Sequence, residues 1–444
     1  MALTLEKEAQ HTNGSTGTNA PQAGEEFPTP YLGRSVKIVG PHVNVDMNQS
    51  PHPKNQRGEL GKPLFNWYRN TVSKDPLTRV SAPNHFADRR HFLTNVINRS
   101  SNGKINPQKV AVDDPAAMAR HIKAVALYMG ADVVGIAKAH PAYLYAGSRY
   151  VQDGTAEDTF QQDTPEDLVR RFPFVIQATT AWDYNKLQAH RHQVGDAAYH
   201  VSQMKGVMVL KALEGYIKEL GYTALRGVVT PQAAGVAGGI GELGRNGLVI
   251  NKNFGARIHM PDPILTDLPL VADEPVDIGV DDFCKICRKC ANTCPTNSIP
   301  FGDKVVFNGI EKYKINWLTC YKLRPYVHDY WGSCLTCAAV CPFTKPNVWW
   351  HTMTVATLHA FPYFARPTLV RFLKWIDDRF WGVVRNSRVT WLGYDSGIKP
   401  GEHACTVAGC NASHEKSATS TVAGNVGYYA PLKENTNRFV KRDA

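Results

Sequence analysis

The first 283 residues of this 444-residue chain hold no cysteine. Thiols missing from so much of the chain exclude a disulfide framework of the extracellular kind. The sequence also has no apolar run approaching the length of a membrane span. Its formal net charge is +11, yet no basic run exceeds two residues. Scattered Lys and Arg argue against nucleic acid as a partner. A weakly basic surface suits acidic electron-carrier proteins or anionic lipid instead. Arg89-Arg90-His91-Phe92-Leu93 looks like a twin-arginine export signal, but Thr94-Asn95-Val96-Ile97-Asn98-Arg99-Ser100 follows without an apolar stretch. The pair also lies too deep in the chain, so the expectation is a cytoplasmic protein, the alternative being an exported form attached peripherally to the membrane.

What is present is a globular composition, 43% hydrophobic and 10% aromatic, in a chain long enough for a large core. Residues 1–30 are rich in Gly, Ser, Thr, Asn and Gln and read as a disordered tail. Residues 31–110 carry many Pro and Asn with little periodicity and read as a segment wrapping the surface. Regular structure is expected from Asp114-Pro115, a helix start with Pro at the first helical position. Met118, Ile122, Val125 and Met129 share one face, Gly130 ends the helix, and Ala131 to Ala137 read as a buried strand. The unit returns at Met204, Val207, Leu210, Leu213, Ile217 and Leu220, followed by Gly221-Tyr222-Thr223-Ala224-Leu225 leading into a strand. Two helix–Gly–strand units predict an α/β layered architecture. The core is expected over 111–270, a cysteine module over 271–345, and an aromatic C-terminal segment packing on the core over 346–444.

The cysteines carry the sharpest signal. Cys284-x-x-Cys287-x-x-Cys290-x-x-x-Cys294-Pro295 is followed by Cys320 and by Cys334-x-x-Cys337-x-x-x-Cys341-Pro342. Thiolates at three-residue spacing wrap corners of one cubane, and the cysteine after x-x-x faces away to ligate the other. One 4Fe–4S cluster is therefore assigned to Cys284, Cys287, Cys290 and Cys341, and a second to Cys294, Cys320, Cys334 and Cys337. Each proline breaks its helix just past the crossing ligand. Zinc also accepts paired C-x-x-C, but the doubled C-x-x-x-C-P ending favours iron–sulfur. Cys405 and Cys410 fall outside the pattern and read as free thiols. Two adjoining clusters form a one-electron relay, which needs an endpoint elsewhere in the chain.

Upstream lies the loop Gly239-Ile240-Gly241-Glu242-Leu243-Gly244-Arg245-Asn246-Gly247. Small residues at Gly239, Gly241, Gly244 and Gly247 let backbone N–H groups approach a phosphate or an amide-fringed macrocycle, and Arg245 adds charge. The same glycines could equally turn a tight corner. With Phe254-Gly255-Ala256-Arg257, Leu265-Thr266-Asp267-Leu268-Pro269-Leu270, the two-cluster module and Trp375-Ile376-Asp377-Asp378-Arg379-Phe380-Trp381-Gly382, in this order, the chain resembles the cobalamin-dependent reductive dehalogenases over roughly 115–395. The resemblance implies a nitroreductase-like α/β (α+β) domain that binds a base-off corrinoid beside a bacterial ferredoxin-like 4Fe–4S module. It further implies reduction of a carbon–halogen bond of an organohalide, with electrons passed through the clusters to cobalt and a proton given by a tyrosine. No D-x-H-x-x-G cobalamin motif is present, in keeping with a cobalt that no histidine ligates from below.

By the same resemblance Tyr199 is the proton donor, a turn earlier in its helix than the family pattern puts it, with Tyr184 and Tyr222 as substitutes. Arg257, or His259 standing where the family has a second Arg, would tune it. Arg226 is the candidate for the family's Lys or Asn position. The loop residues Gly239, Gly241, Glu242, Gly244, Arg245 and Gly247 would hold the cofactor. Partners implied are an external electron donor (a ferredoxin, a flavodoxin or a membrane redox chain) and a small membrane anchor. Two rivals share parts of the pattern: epoxyqueuosine reductase, which would want an Asp proton donor and a basic surface for transfer RNA, and a ferredoxin-like electron-transfer subunit without chemistry of its own.

Overall fold

Asp114 starts the first long helix by accepting from Ala116 N (2.8 Å) and Ala117 N (3.0 Å), which satisfies two amides the helix itself leaves unpaired. This helix, α1 (Pro115–Tyr128), ends before Gly130, whose φ of 105° only glycine adopts readily. The computed structural model describes residues 27–62, 64–65, 97, 103–146, 163–188, 190, 193–323, 334–346 and 348–380, and the backbone of 389–391 and 394–396. At 193, 194, 196 and 197 only the backbone is described. The Arg89-Arg90 pair, Cys405, Cys410, Trp381, Gly382, the Trp391 side chain and most of the expected N-terminal tail lie outside the described residues.

The central sheet is built from β1 (Val133–Lys138), β2 (Phe174–Ala181), β3 (Ala224–Arg226), β4 (Ile258–His259) and β5 (Ile264–Thr266). Its order is β1-β2-β5-β3, with β4 pairing the far end of β2, and every pairing is antiparallel. Alternation along the strands sends side chains to two cores. Ile136, Ile176 and Ile264 join Ile122 and Ala126 of α1 and Leu210, Leu213 and Ile217 of α2 (Gln193–Glu219). Ala137, Val175 and Leu265 point the other way, onto Val236, Ala237, Ile240, Val249 and Ile258. Both helix–Gly–strand units are thus present, as layers on a mixed α/β sheet.

The cysteine module follows as α3 (Val280–Cys287), α4 (Lys289–Asn292) and α5 (Thr336–Ala339), and then the helices α6 (Trp349–Ala360) and α7 (Arg366–Phe380). The N-terminal segment is tied to this module at one end: Arg34 donates to Asp282 at 2.6 and 2.9 Å, and Lys37–Ile38 pairs with Ile310–Lys312. At 103–110 it instead runs along α2, with Val110 N donating to Leu220 O.

The C-terminal helices dock through aliphatic and charged groups. Val355, Leu358, Val370, Arg366 and Asp377 are buried. Arg366 donates to His359 O (2.6 Å) and Phe361 O (3.0 Å) and meets Asp282 (3.1 Å) and Asp277 (3.2 Å). Trp349, Phe364, Trp375 and Phe380 stay exposed instead of packing on the core. The stripe through Arg366, Val370, Leu373 and Asp377 has the helical period and already fills the contact, leaving the aromatics on other faces. Among the described residues no helix is long and apolar enough to cross a membrane.

Gly135 shows how tightly β1 is covered. A Cβ there would lie 2.2 Å from Gly238 O and 2.9 Å from Ile240 Cγ1. Gly135→Ala is therefore expected to cost about 1–3 kcal/mol by overpacking. A lowered unfolding midpoint in thermal or urea melts checks this; an unchanged midpoint would mean the loop after Ala237 yields freely.

Candidate metal centres and active site

All eight cysteines of the module are free of disulfides, and Cys287, Cys294 and Cys341 are buried. Cys284 and Cys287 each lie within electrostatic reach of Cys341, Cys290 reaches Cys284, Cys287, Cys341 and Cys337, and Cys337 reaches Cys320, Cys334, Cys294 and Cys341. The sulfurs are thus brought together, and the two sets expected from the crossing pattern adjoin through Cys290, Cys337 and Cys341. Among the described residues no three His, Cys, Asp or Glu close on a single metal ion.

The backbone bends alike in both groups. Arg288, just after Cys287, has φ 53°, and Leu335, just after Cys334, has φ 54°. Neither is glycine, and each such position costs about 1–3 kcal/mol. Both initiate a short helix that carries the next cysteine, α4 for Cys290 and α5 for Cys337. The repeated strain marks the turn that lets two successive thiolates face one cluster.

Desolvation decides the chemistry of these sulfurs. Burial pushes Cys287 up to about 12 and Cys341 up to about 11, and raises Cys284, Cys290 and Cys337 as well. Alone, such thiols keep their protons; iron displaces them and supplies the compensating charge. The surroundings fit that exchange. Arg245 N donates to Cys284 Sγ (3.4 Å) and Ser298 N to Cys294 Sγ (3.3 Å), and backbone N–H groups of Lys289, Phe343 and Thr344 point at Cys287 and Cys341. Hydrogen bonds of this kind favour thiolate and tune a cluster.

The Gly-rich loop packs closely against the protein's own atoms. Arg245 is buried, with Nε on Cys284 O (3.0 Å), Nη1 on Pro300 O (2.8 Å) and Gly302 O (2.7 Å), and its guanidinium over Tyr313. Asn246 Nδ2 donates to Cys337 O (3.2 Å). A Cβ on Gly239 would meet Glu274 O at 2.5 Å, one on Gly241 Ile250 O at 2.1 Å, one on Gly244 Ile250 Cδ1 at 2.6 Å, and one on Gly247 Ile315 Cδ1 at 2.4 Å. Glu242 accepts from Ile278 N and Val280 N at the root of α3, and burial pushes its carboxyl up to about 7 against those two bonds. These glycines admit the protein's own atoms, and Arg245 clamps the cluster module to the sheet domain. Charge on a loop cannot show in sequence which neighbour it will face.

Tyr199 stands near the start of α2. The exchange of Thr180 Oγ1 to Ser202 O (2.7 Å) and Ser202 Oγ to Thr180 O (2.8 Å) pins that turn to the end of β2. Thr180 pairs with His259 on β4, so the tyrosine ring comes 5.3 Å from His259, edge to face. Trp182 (5.2 Å) and His200 (4.7 Å) complete the aromatic wall. Arg257 Nη1 donates to Trp182 O at 2.5 Å, and burial pulls its pKa down against the attraction of Asp132, Asp183 and Tyr184. Tyr199 and Trp182 share one apolar cluster with Cys287, Cys341, Phe283 and Phe343, so this corner adjoins the first group of cysteines.

Arg226 is not brought here. It meets Glu214 (3.9 Å) and Asp262 O (3.4 Å), beside a part of α2 about 22 Å along the axis from Tyr199. Tyr222, just past the C-terminal end of α2, uses its hydroxyl on Val110 O (2.7 Å). Trp182, His200, Lys289, Lys345 and Asp377 escaped the sequence reading. Lys289 between two ligand cysteines, and the doubled Asp of the C-terminal run, were the signals available.

Anaerobic reconstitution of the chain is expected to yield about eight iron and eight acid-labile sulfide. Cys290→Ser should disrupt one cluster and spare the other, and Cys405→Ser should leave both. Zinc without sulfide in the purified protein would contradict the assignment.

Comparison with known proteins agrees with this architecture. A family model described as a 4Fe-4S dicluster domain matches residues 283–345. The tetrachloroethene reductive dehalogenase of Sulfurospirillum multivorans is 28% identical over 267 residues, 54% of this chain and 52% of the relative. The trichloroethene reductive dehalogenase of Dehalococcoides mccartyi is 31% identical over 167 residues, 34% of this chain and 28% of its own. The chain spans about half the length, or less, of these curated relatives. Among solved structures, the catabolic reductive dehalogenase NpRdhA superposes with a TM-score of 0.63 at 23% identity, covering 78% of this chain and 47% of that one. The chain is similar in sequence to reductive dehalogenases over about half its length, and shares the fold of a solved one over most of it.

Proposed function

We propose that this chain is the catalytic part of a reductive dehalogenase that replaces the halogen of a small organohalide by hydrogen. Two electrons and a proton enter and halide leaves. The observation that carries the reading is the adjacency of Tyr199, walled by Trp182, His200 and His259, to the cysteines of the first cluster. A proton donor beside the end of an electron relay is the pairing this chemistry requires. Relatives named for dehalogenation of chloroethenes support the reaction class.

The electron source fits a small acidic carrier such as a ferredoxin or flavodoxin, given a net charge of +11. At the Tyr199 corner the buried Trp182 Nε1 and Arg257 Nε have no hydrogen-bond partner. Unpaired buried donors are costly, and two together fit a ligand with an oxygen-bearing rim, as the amide fringe of a corrinoid is. Bound there in the base-off form, a corrinoid would supply low-valent cobalt as the reductant of the carbon–halogen bond. The Gly-rich loop is closed by protein contacts, so Trp182 and Arg257, and not Gly239 to Gly247, are the residues offered to the rim.

Tyr199 then acts as the acid. Arg257, held on the Trp182 carbonyl, and His259, edge to face with the ring, are the groups placed to orient it. Tyr199→Phe keeps the ring and its aromatic contacts. Proton transfer contributes about 10²–10⁴-fold, so turnover of an accepted organohalide should fall by that order while iron and corrinoid content stay intact. Wild-type turnover in Tyr199→Phe at full loading would remove the tyrosine from the mechanism. Electron paramagnetic resonance of the Co(II) form should lack nitrogen splitting from an axial base. No corrinoid in an extract of the reconstituted protein would return the chain to a simple electron carrier.

A further inference from the structure

The Asp377-Asp378 pair enters the sequence reading only as part of a resembling run, yet it meets two lysines of the cysteine module. Lys289, between Cys287 and Cys290, is 2% exposed, and its ammonium contacts Asp377 and lies 2.7 Å from Asp378 Oδ1. Lys345, just past Cys341, is also buried, with Nζ 2.6 Å from Asp377 Oδ1. Asp378 sits at the half-exposed rim, where Lys374 of the same helix reaches it at 2.8 Å. One buried carboxylate is thus shared by two buried ammonium groups. Removing either partner of such a set strands an uncompensated charge, so docking of α7 and placement of the lysines depend on each other.

Both lysines flank the same cysteine group: Lys289 stands between Cys287 and Cys290, and Lys345 four residues past Cys341. Asp377, between the two ammonium groups, offsets part of their charge. Arg245 adds a third buried cation beside Cys284. Reducing a cluster adds one negative charge, and nearby cations stabilise that state in a medium where water screens little. Net charge and burial around the sulfurs are established levers on cluster potential.

We propose that the buried ammonium groups of Lys289 and Lys345, held in place by Asp377 of the docked α7, raise the reduction potential of the cluster held by Cys284, Cys287, Cys290 and Cys341. The C-terminal helix thereby sets how readily this cluster takes its electron, a role of positioning charge and not of touching substrate. The inference rests on the two-cluster part of the proposed function and on none of its cobalt or organohalide chemistry.

The test is a redox titration of the anaerobically reconstituted full chain, followed by electron paramagnetic resonance, with neither corrinoid nor organohalide added. In Lys345→Gln one midpoint should fall, changing the ratio of reduced to oxidised cluster at fixed potential about tenfold, or about 59 mV for one electron. The other midpoint should stay in place. Asp378→Asn should move the same midpoint upward by less, and Lys345→Arg should leave it near the wild-type value. The affected midpoint should be the one that survives in Cys334→Ser, which lacks a ligand of the other cluster. Unmoved midpoints in Lys345→Gln at full iron content, or equal shifts of both, overturn the proposal. Should Lys345→Gln fail to hold its iron, Asp378→Asn at the rim decides alone: no upward shift overturns it. Loss of dehalogenase activity, or its absence, leaves these readings unaffected.

Discussion

Desolvation of the cysteine sulfurs is the constraint around which this protein is organised. A thiol removed from water keeps its proton unless a metal, a cation or a hydrogen-bond donor replaces what water gave. With burial as the largest cause, Cys287 is pushed up to about 12 and Cys341 up to about 11. The protein answers with two kinds of partner. Backbone N–H groups of Arg245, Lys289, Phe343 and Thr344 point at one group, Ser298 N serves the other, and buried cations stand behind the first group. Left-handed turns at Arg288 and Leu335 then aim successive sulfurs inward at a conformational cost. A site that strains its backbone twice in the same way is organised around its cluster, and the remaining packing stabilises that arrangement.

The same constraint explains the loop that joins the sheet domain to the cysteines. Its glycines meet Glu274 O, Ile250 O and Ile315, and its arginine is buried against three carbonyls of the module. A guanidinium carries five donors in a fixed plane and can hold several carbonyls at once in set directions. From the other side, Arg366 and Arg34 share Asp282 at the start of the module. The cysteine helices are therefore gripped by the sheet domain, the N-terminal segment and the C-terminal helices together. Rigidity of this kind suits electron transfer, where charge arrives without large rearrangement of its surroundings.

The tyrosine corner depends on the sheet in turn. Two reciprocal hydrogen bonds between Thr180 and Ser202 fix the helix to the strand, and the pairing of Thr180 with His259 fixes the histidine to both. Tyr199 therefore stands against His259 although sixty residues of chain separate them. Arg226, one of the candidates by position in sequence, lies on β3 beside the other end of the same helix, where Glu214 meets it. Nearness along a strand–helix unit does not translate into nearness in the site.

The sequence by itself determined the periodic and the stoichiometric parts. Asp114-Pro115 and Gly130 bound the first helix because capping and positive φ are local properties, and the stripe from Met204 to Leu220 marked α2 because burial follows the helical period. Eight cysteines at the ferredoxin spacings determined two clusters and their crossing, since ligand number and chain reach leave few alternatives. Only the tertiary structure decided what charge and small residues are for. Gly239, Gly241, Gly244 and Gly247 looked open to a ligand and are filled by backbone and side chains from Glu274, Ile250 and Ile315. Arg245 looked available and is buried. Lys289, Lys345 and Asp377, far apart in the chain, form one buried unit. A charged side chain takes its role from its nearest opposite charge and from the water it has lost, and both are set by residues distant in the chain.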